Sequence, residues 1–223
     1  MRLLLINPNT RIQTTALMTD IANEALDESR NQRMQPPPNA RVEGLTVKQG
    51  VPLITDEPAL TEAAKALIDL IGATDLSHYR GIIIAAFGDP GLGEVRARVE
   101  IPVTGIAEAA MAEAPGRFAV VTTTPLLATS IERSARLYGH AERFAGVHLT
   151  PGDPASLMAS PSALLEAMLE ACQRAIRAVA PDSIVIGGGP LARVARELRQ
   201  RLPLPVIEPI PAATRLALVR ALS

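Results

Sequence analysis

Aromatic residues, cysteine and histidine are scarce in this sequence. Its 223 residues include three Phe, two Tyr and no Trp, together 2% of the chain. Single-stranded nucleic acid stacks on aromatic side chains, so this composition disfavours a role in binding it. The lone cysteine, Cys172, excludes an intrachain disulfide and a cysteine-rich zinc site. The three histidines lack the spacing of four residues that puts two ligands on one helix face, and we expect no metal site.

An excess of charge and a long apolar run are also missing. Lys and Arg total 22 against 23 Asp and Glu, which gives a formal net charge of −1. A nearly neutral chain has no electrostatic attraction to a polyanion, so we expect neither nucleic acid nor a membrane as a partner. The apolar run at residues 3–6 ends at Asn7. It is shorter than the roughly 7 residues that a signal peptide needs and the about 20 of a membrane helix, which predicts a cytoplasmic protein.

Short apolar runs alternate with longer segments of helical periodicity along the whole chain. Continuous apolar runs separated by helices are typical of a parallel sheet covered on both faces, so the sequence predicts an α/β fold. The predicted strands are residues 3–6, 42–47, 82–86, 102–104, 118–121, 147–149, 184–186 and 206–207. The predicted helices are residues 10–28, 57–71, 125–138, 161–179 and 191–201, one that starts at Asp89, and a final one that ends at Leu222.

The order of elements contains an internal repeat. Ile82-Ile83-Ile84 and Ile184-Val185-Ile186 are 102 residues apart, and Pro102-Val103 and Pro205-Val206 are 103 residues apart. Ala109-Ala110 returns at the second of these distances as Ala212-Ala213. We therefore predict two similar lobes that face each other, residues 1–104 and residues 105–207, with residues 208–223 returning to the first lobe.

Small polar residues and glycines follow the predicted strands. In open parallel sheets the ligand lies beyond the carboxyl ends of the strands, so these residues are the candidate binding site. Glycines at a helix start let backbone N–H groups approach an anion or a polarised carbonyl. No glycine-rich nucleotide motif is present. The candidate binding residues are Asn7, Thr10, Phe87, Gly88, Thr122, Thr123, Gly188 and Gly189.

Four segments resemble the Asp/Glu/hydantoin racemase superfamily, and the hydantoin and allantoin racemase branch in particular. They are Ile6-Asn7-Pro8-Asn9-Thr10, Ala86-Phe87-Gly88-Asp89-Pro90-Gly91-Leu92, Gly105-Ile106-Ala107-Glu108-Ala109-Ala110 and Val120-Val121-Thr122-Thr123. The resemblance implies two pseudo-symmetric flavodoxin-like lobes, each a parallel sheet covered by helices, with a cofactor-free site in the cleft between them. It also implies a small ligand with a carboxylate or ureide carbonyl, and it is compatible with a homo-oligomer.

Both catalytic cysteines of the resembled family are replaced. That family uses two cysteines on opposite faces of the substrate: one thiolate removes a proton from the α-carbon and the other thiol donates one. The first cysteine position corresponds to Ala86 and the second to Gly188. Cys172 does not substitute, because it continues the spacing of Leu164 and Met168 by four residues, which is typical of a core-facing helix stripe. We therefore expect racemisation by two thiols to be negligible.

Asp89 and Glu208 are two acidic residues at strand ends that could act as bases instead. Each also has a structural interpretation, Asp89 as the N-cap of the helix that follows it and Glu208 through helix-end electrostatics. Three functions remain open at this point. They are a racemase-family enzyme acting on an amino-acid derivative or cyclic ureide, a non-catalytic relative that binds a small anion, and a lyase or hydrolase on the same scaffold that uses Glu208 or Asp89.

Overall fold

The strands of this protein form two separate parallel sheets. The structure, a computed structural model, describes residues 1–30 and 36–223. The strands in this part of the chain are β1 (Arg2–Asn7), β2 (Arg41–Thr46), β3 (Ile82–Ile84), β4 (Val103–Gly105), β5 (Phe118–Thr122), β6 (Phe144–Leu149), β7 (Ser183–Ile186) and β8 (Val206–Ile207). Their apolar side chains are nearly all buried except in β2 and β6, which lie at one edge of each sheet, as expected for sheets covered on both faces.

The two sheets have the same topology. One sheet has the strand order β2-β1-β3-β4 and the other β6-β5-β7-β8. Ile82 of β3 pairs with Leu4 and Val103, and Ile184 of β7 pairs with Ala119 and Val206. The repeat of 102–103 residues thus links equivalent strands of two parallel sheets, which confirms the predicted fold class.

Nine helices in the described residues connect and cover these strands. They are α1 (Ile12–Arg30), α2 (Glu57–Gly72), α3 (Leu92–Arg96), α4 (Ile106–Glu113), α5 (Ala128–Leu137), α6 (Pro154–Met158), α7 (Pro161–Val179), α8 (Ala192–Arg201) and α9 (Pro209–Leu222). Short 3₁₀ turns at Pro125–Leu127 and Gly189–Leu191 lead into α5 and α8. Outside the undescribed residues 31–35, none of the helices is long and apolar enough to cross a membrane.

The helix after β3 starts later than predicted. The sequence places its start at Asp89, but α3 begins at Leu92. Gly88, Asp89 and Gly91 all have positive φ angles, of 115°, 48° and 71°. A right-handed helix cannot contain such residues, so the chain makes a left-handed turn first. The sequence analysis also did not identify α4 and the short α6.

The hydrophobic core has three parts. One covers the outer face of the first sheet and includes Leu67 of α2, and another covers the outer face of the second sheet and includes Met168 of α7. The third and largest lies between the sheets and contains residues of α1, α4, α5 and α9. In it α4 packs against α9, through segments that include the buried pairs Ala109-Ala110 and Ala212-Ala213. The two helices related by the repeat therefore meet at the centre of the molecule.

Candidate functional site

A cavity lies between the two sheets, at the carboxyl ends of their central strands. Its volume is about 50 Å³ and it is partly open to solvent, so it suits a compact ligand. Both halves of the molecule contribute to its wall. The lining residues are Asn9, Leu53, Ile54, residues 85–87, Thr123, Thr124, Leu127, Ile131, Pro154, Met158 and residues 187–191.

The two positions to which the sequence resemblance assigns the family cysteines face this one cavity. Ala86 follows the end of β3 by two residues, and Gly188 follows the end of β7 by two residues. Since β3 and β7 are equivalent strands of the two sheets, Ala86 and Gly188 occupy equivalent places in the two halves. Both residues line the cavity, and neither has an ionisable atom.

Few polar side chains reach the cavity. Asn9 is buried, and its Oδ1 accepts hydrogen bonds from Asn7 Nδ2 and from the Arg11 amide, both at 3.0 Å. The side-chain nitrogen Nδ2 of Asn9 is then the group that can donate to a ligand, because the backbone N–H of Asn9 already donates to Asn7 Oδ1. Thr123 and Thr124 add hydroxyl groups. In the described part of the chain, the wall includes no Asp, Glu, His, Lys, Arg, Cys or Tyr.

Three of the candidate binding residues support the wall from behind. Asn7 is fully buried, and its Nδ2 donates to Asn9 Oδ1 and to Thr15 Oγ1, both at 3.0 Å. The Thr122 hydroxyl donates to the Gly187 carbonyl at 2.7 Å. Thr10 is held through its amide, which donates to the Val51 carbonyl. These residues shape the loops that carry Asn9, Thr123 and the glycine turn, and they do not belong to the described lining.

The glycine turn after β7 provides fewer N–H donors than its sequence suggests. The amides of Gly187 and Gly188 donate to the Val121 and Ile186 carbonyls. Gly189 is needed for close packing, since a Cβ there would lie 2.8 Å from Met18 Sδ and 3.0 Å from the Ala85 carbonyl oxygen. The expected cradle of free glycine amides is therefore largely occupied by the turn itself.

Phe87 and Gly88 are adjacent in the chain but line different surfaces beyond the end of β3. Phe87 lines the cavity, whereas Gly88 lies in a larger open groove with Asp89 and Tyr138. The positive φ of Gly88 turns the chain from one surface to the other.

Asp89 caps a helix, but not the one predicted. Its carboxylate accepts hydrogen bonds from the amides of Ala107 and Glu108 at the start of α4, at 2.9 and 2.8 Å, and from the Tyr138 hydroxyl at 2.7 Å. Burial raises the pKa of Asp89 to about 6, although these three hydrogen bonds act in the opposite direction. The carboxylate is thus fully engaged away from the cavity.

Glu208 lies in a different groove from the cavity. Its side chain is 6% exposed, and its Oε1 is 3.4 Å from Arg199 Nη1 and its Oε2 3.9 Å from Arg196 Nε. Burial raises the pKa of Glu208, and the two guanidinium groups offset part of this effect. The groove includes Glu28, Glu113 and Arg215 and shares no residue with the cavity lining.

Cys172 is buried in the core against the second sheet, as its helix stripe predicts. Burial raises the pKa of its thiol to about 12. A thiol in this position is neither accessible nor ionised at neutral pH.

The sequence analysis missed most of the apolar wall of the cavity. Leu53, Ile54, Leu127, Ile131 and Met158 line it. Leu53 and Ile54 come from a loop without regular structure and Met158 ends a five-residue helix, so no periodicity marks them. Ile131 does carry a signal, because α5 is strongly amphipathic and Ile131 lies on its buried face.

Comparisons with known proteins agree with this architecture. A family model described as Asp/Glu/Hydantoin racemase matches residues 3–217. A hydantoin racemase from Paenarthrobacter aurescens is 28% identical, over 97% of this chain and 89% of its own. The structure of an allantoin racemase from Klebsiella pneumoniae has a TM-score of 0.86 and 30% identity, covering 97% of this chain and 86% of the other. That of an allantoin racemase from Pseudomonas fluorescens has a TM-score of 0.84 and 28% identity, covering 97% and 89%. The chain therefore belongs to the Asp/Glu/hydantoin racemase family and is close to its hydantoin and allantoin racemases.

Proposed function

We propose that this protein binds a small cyclic ureide in the cavity between its sheets and does not racemise it by the two-thiol route. The observation that carries the proposal is the composition of the wall. Ala86 and Gly188 face the same cavity, and the described lining contains no side chain that can take or give a proton at neutral pH. A positioned acid or base typically increases the rate of a proton transfer by about 10²–10⁴-fold, and the described lining of the cavity contains none.

The polar groups of the wall favour a ureide over a carboxylate. The donors and acceptors are uncharged, from Asn9, Thr123 and Thr124, and the amides of Gly187 and Gly188 are already bonded. A carboxylate that enters such a site loses its hydration without gaining a cation, which is costly. A ureide carries uncharged N–H and C=O groups that match these partners, and the apolar wall suits a hydrocarbon substituent. The names of the similar racemases, hydantoin and allantoin, point to the same class.

The lyase or hydrolase alternative receives no support from the two acids. Asp89 is bonded to the start of α4 and to Tyr138, and Glu208 lies in a separate groove. Neither is among the described residues of the cavity wall.

A ligand screen tests binding and proton exchange separately. Thermal unfolding with 5-methylhydantoin, allantoin, L-aspartate and L-glutamate should show stabilisation by the hydantoin or allantoin and none by the amino acids. Ala86→Leu fills the cavity and should abolish the shift. Gly72→Ala, where an added Cβ meets no atom within 4 Å, is the matched control. In D₂O the wild-type protein should not accelerate exchange at C5 of the bound hydantoin. Inversion at a kcat near the enzyme median of about 10 s⁻¹ would show that the proposal is wrong.

A further inference from the structure

Asp89, in the turn between β3 and α3, forms hydrogen bonds with the start of α4 and with the residue that follows α5. It follows the cavity residues Ala86 and Phe87 and has a φ of 48°, which is strained for a residue with a side chain. Its Oδ1 accepts from the Ala107 amide, and its Oδ2 accepts from the Glu108 amide and from the Tyr138 hydroxyl. Strain of this kind persists only where surrounding contacts fix it, and these three hydrogen bonds do so.

The two amides belong to the first turn of α4, which has no N-cap side chain, although the Glu108 carboxylate accepts from the Gly105 amide at 3.4 Å. The N-cap residue is Gly105, which lacks a side chain, and a Cβ at this position would overlap the Asp89 carboxylate. Asp89 therefore supplies from another element the acceptor that an N-cap side chain provides in other helices. The equivalent helix α9 has fewer N–H groups to satisfy in its first turn, because its first and third residues are Pro209 and Pro211, which have no N–H.

Tyr138 connects this point to the opposite wall of the cavity. It directly follows α5, and α5 carries the cavity residue Ile131. Asp89 lies two residues beyond Phe87, which belongs to the wall formed by the first sheet. We propose that Asp89 and Tyr138, together with the first turn of α4, form a clasp between the two halves of the molecule that sets the separation of the two cavity walls. The two residues are then positioning residues for the ligand, a role that rests on the proposed function.

The charges around the clasp determine how it responds to pH. Glu108 of α4 is the nearest carboxylate, and Arg96 of α3 and Arg220 of α9 both bind it at 2.8–2.9 Å. Burial favours the neutral form of Glu108, but these guanidinium groups lower its pKa, so it remains charged and repels Asp89. His140 lines the same groove, and Glu57, Glu94 and Arg133 complete its charged residues.

The Asp89 carboxylate is buried when the clasp is closed. Closure of the clasp is therefore linked to protonation of this carboxylate. Burial raises the pKa of Asp89, so the closed state binds a proton more tightly than an open, hydrated state. The closed clasp is therefore favoured as the pH falls through about 6. If the ligand binds the closed state, its affinity rises in the same range.

Amide exchange without ligand tests the clasp by itself. In NMR exchange experiments, Tyr138→Phe should increase the exchange rates of the Ala107 and Glu108 amides by about 10- to 100-fold, because it removes one hydrogen bond to a charged acceptor. Tyr79→Phe is the matched control, since the Tyr79 hydroxyl also donates to a carboxylate, Glu43, at 2.9 Å but within the first half. Equal exchange rates in the two variants would overturn the clasp.

Ligand affinity tests the positioning role. For 5-methylhydantoin, Tyr138→Phe should raise Kd by a factor of about 10 and Tyr79→Phe should leave it unchanged. Affinity in the wild type should rise as the pH falls from 7.5 to 5.5, and in Asp89→Asn it should not depend on pH. A flat wild-type profile, or an unchanged Kd in Tyr138→Phe, would refute the positioning role. If no ureide binds to the wild type, the proposed function fails, while the exchange experiment still decides whether the clasp exists.

Discussion

Restoring the two cysteines is the most direct perturbation of the proposed function. The structure predicts that Ala86→Cys and Gly188→Cys both fold. Ala86 already has a Cβ at the cavity surface, and Gly188 has a φ of 173°, extended backbone that any residue adopts. A Cβ at position 188 would meet two Leu191 carbon atoms at 3.0 Å, so this side chain must shift by a few tenths of an ångström. We expect a destabilisation of about 1 kcal/mol, which lowers Tm by about 2–4 °C in a chain of this size.

The expected gain in activity depends on whether a thiol lies on one face or on both faces of the C5 atom of the bound hydantoin. With one thiol, in Ala86→Cys, the protein should exchange the C5 proton of a bound hydantoin on one face only, about 10²–10⁴-fold faster than the wild type. With both thiols it should also invert the centre, which needs a second group on the opposite face. The assay follows one enantiomer of 5-methylhydantoin by polarimetry, and its C5 proton by NMR in D₂O.

The controls separate chemistry from damage to the fold. Gly188→Ala adds the same Cβ without a thiol and should bind the hydantoin without exchange. Gly189→Cys places a Cβ at 3.0 Å from the Ala85 carbonyl and should be clearly less stable than Gly188→Cys. A double-cysteine protein that binds the hydantoin but exchanges no proton would contradict our placement of the two faces at Ala86 and Gly188.

Three further predictions concern single residues. Thr123→Val should weaken hydantoin binding by about 0.5–1.5 kcal/mol, measured by calorimetry, with little change in Tm. Thr122→Val should instead lower the free energy of unfolding by about 1–3 kcal/mol, measured by urea unfolding, because it leaves the buried Gly187 carbonyl without its 2.7 Å partner. Burial raises the pKa of Asp89 from 3.8 to about 6, so its contribution to stability is complete below pH 3.8 and is lost as the pH rises through 6. Between about pH 4 and 7 the unfolding free energy of the wild type should therefore fall by about 2 kcal/mol relative to Asp89→Asn, and parallel pH curves would contradict this. Cys172, with its pKa raised to about 12, should react with a disulfide reagent only after unfolding in guanidinium, and rapid labelling of the native protein would show that the core is open.

The fold could be predicted because the sequence pattern that indicates it lies within short segments and occurs twice along the chain. Buried parallel strands give continuous apolar runs, and the offset between residues 82 and 184 shows that two such units follow each other. The start of α3 could not be predicted, because Asp89 looks like an N-cap in sequence while its φ of 48° is imposed by partners 18, 19 and 49 residues away. Helix α4 was missed because its apolar alanines lie between two helices and carry little periodicity.

The candidate site was predictable in its location and less so in its detail. Strand ends identify Phe87, Thr123, Gly188 and Gly189, all of which line the cavity. Thr122, next to Thr123, points to the Gly187 carbonyl instead, since successive residues of a strand face opposite sides. Glu208 also follows a strand, but β8 is one of the two edge strands of its sheet, and its end opens into a different groove.

The contact between α4 and α9 has a consequence for the order in which the chain folds. The largest core contains Ile210, Ala213 and Ala217 of α9 beside residues of β1 and α1, which are far away in sequence. Contacts of such large sequence separation are slow to form, because the entropy of closing a long loop must be overcome first, so we expect α9 to dock late in refolding. Within the described residues, α9 packs against α1, α4, β3 and β4. A refolding intermediate without docked α9 therefore exposes apolar surface of these elements and should be prone to aggregate.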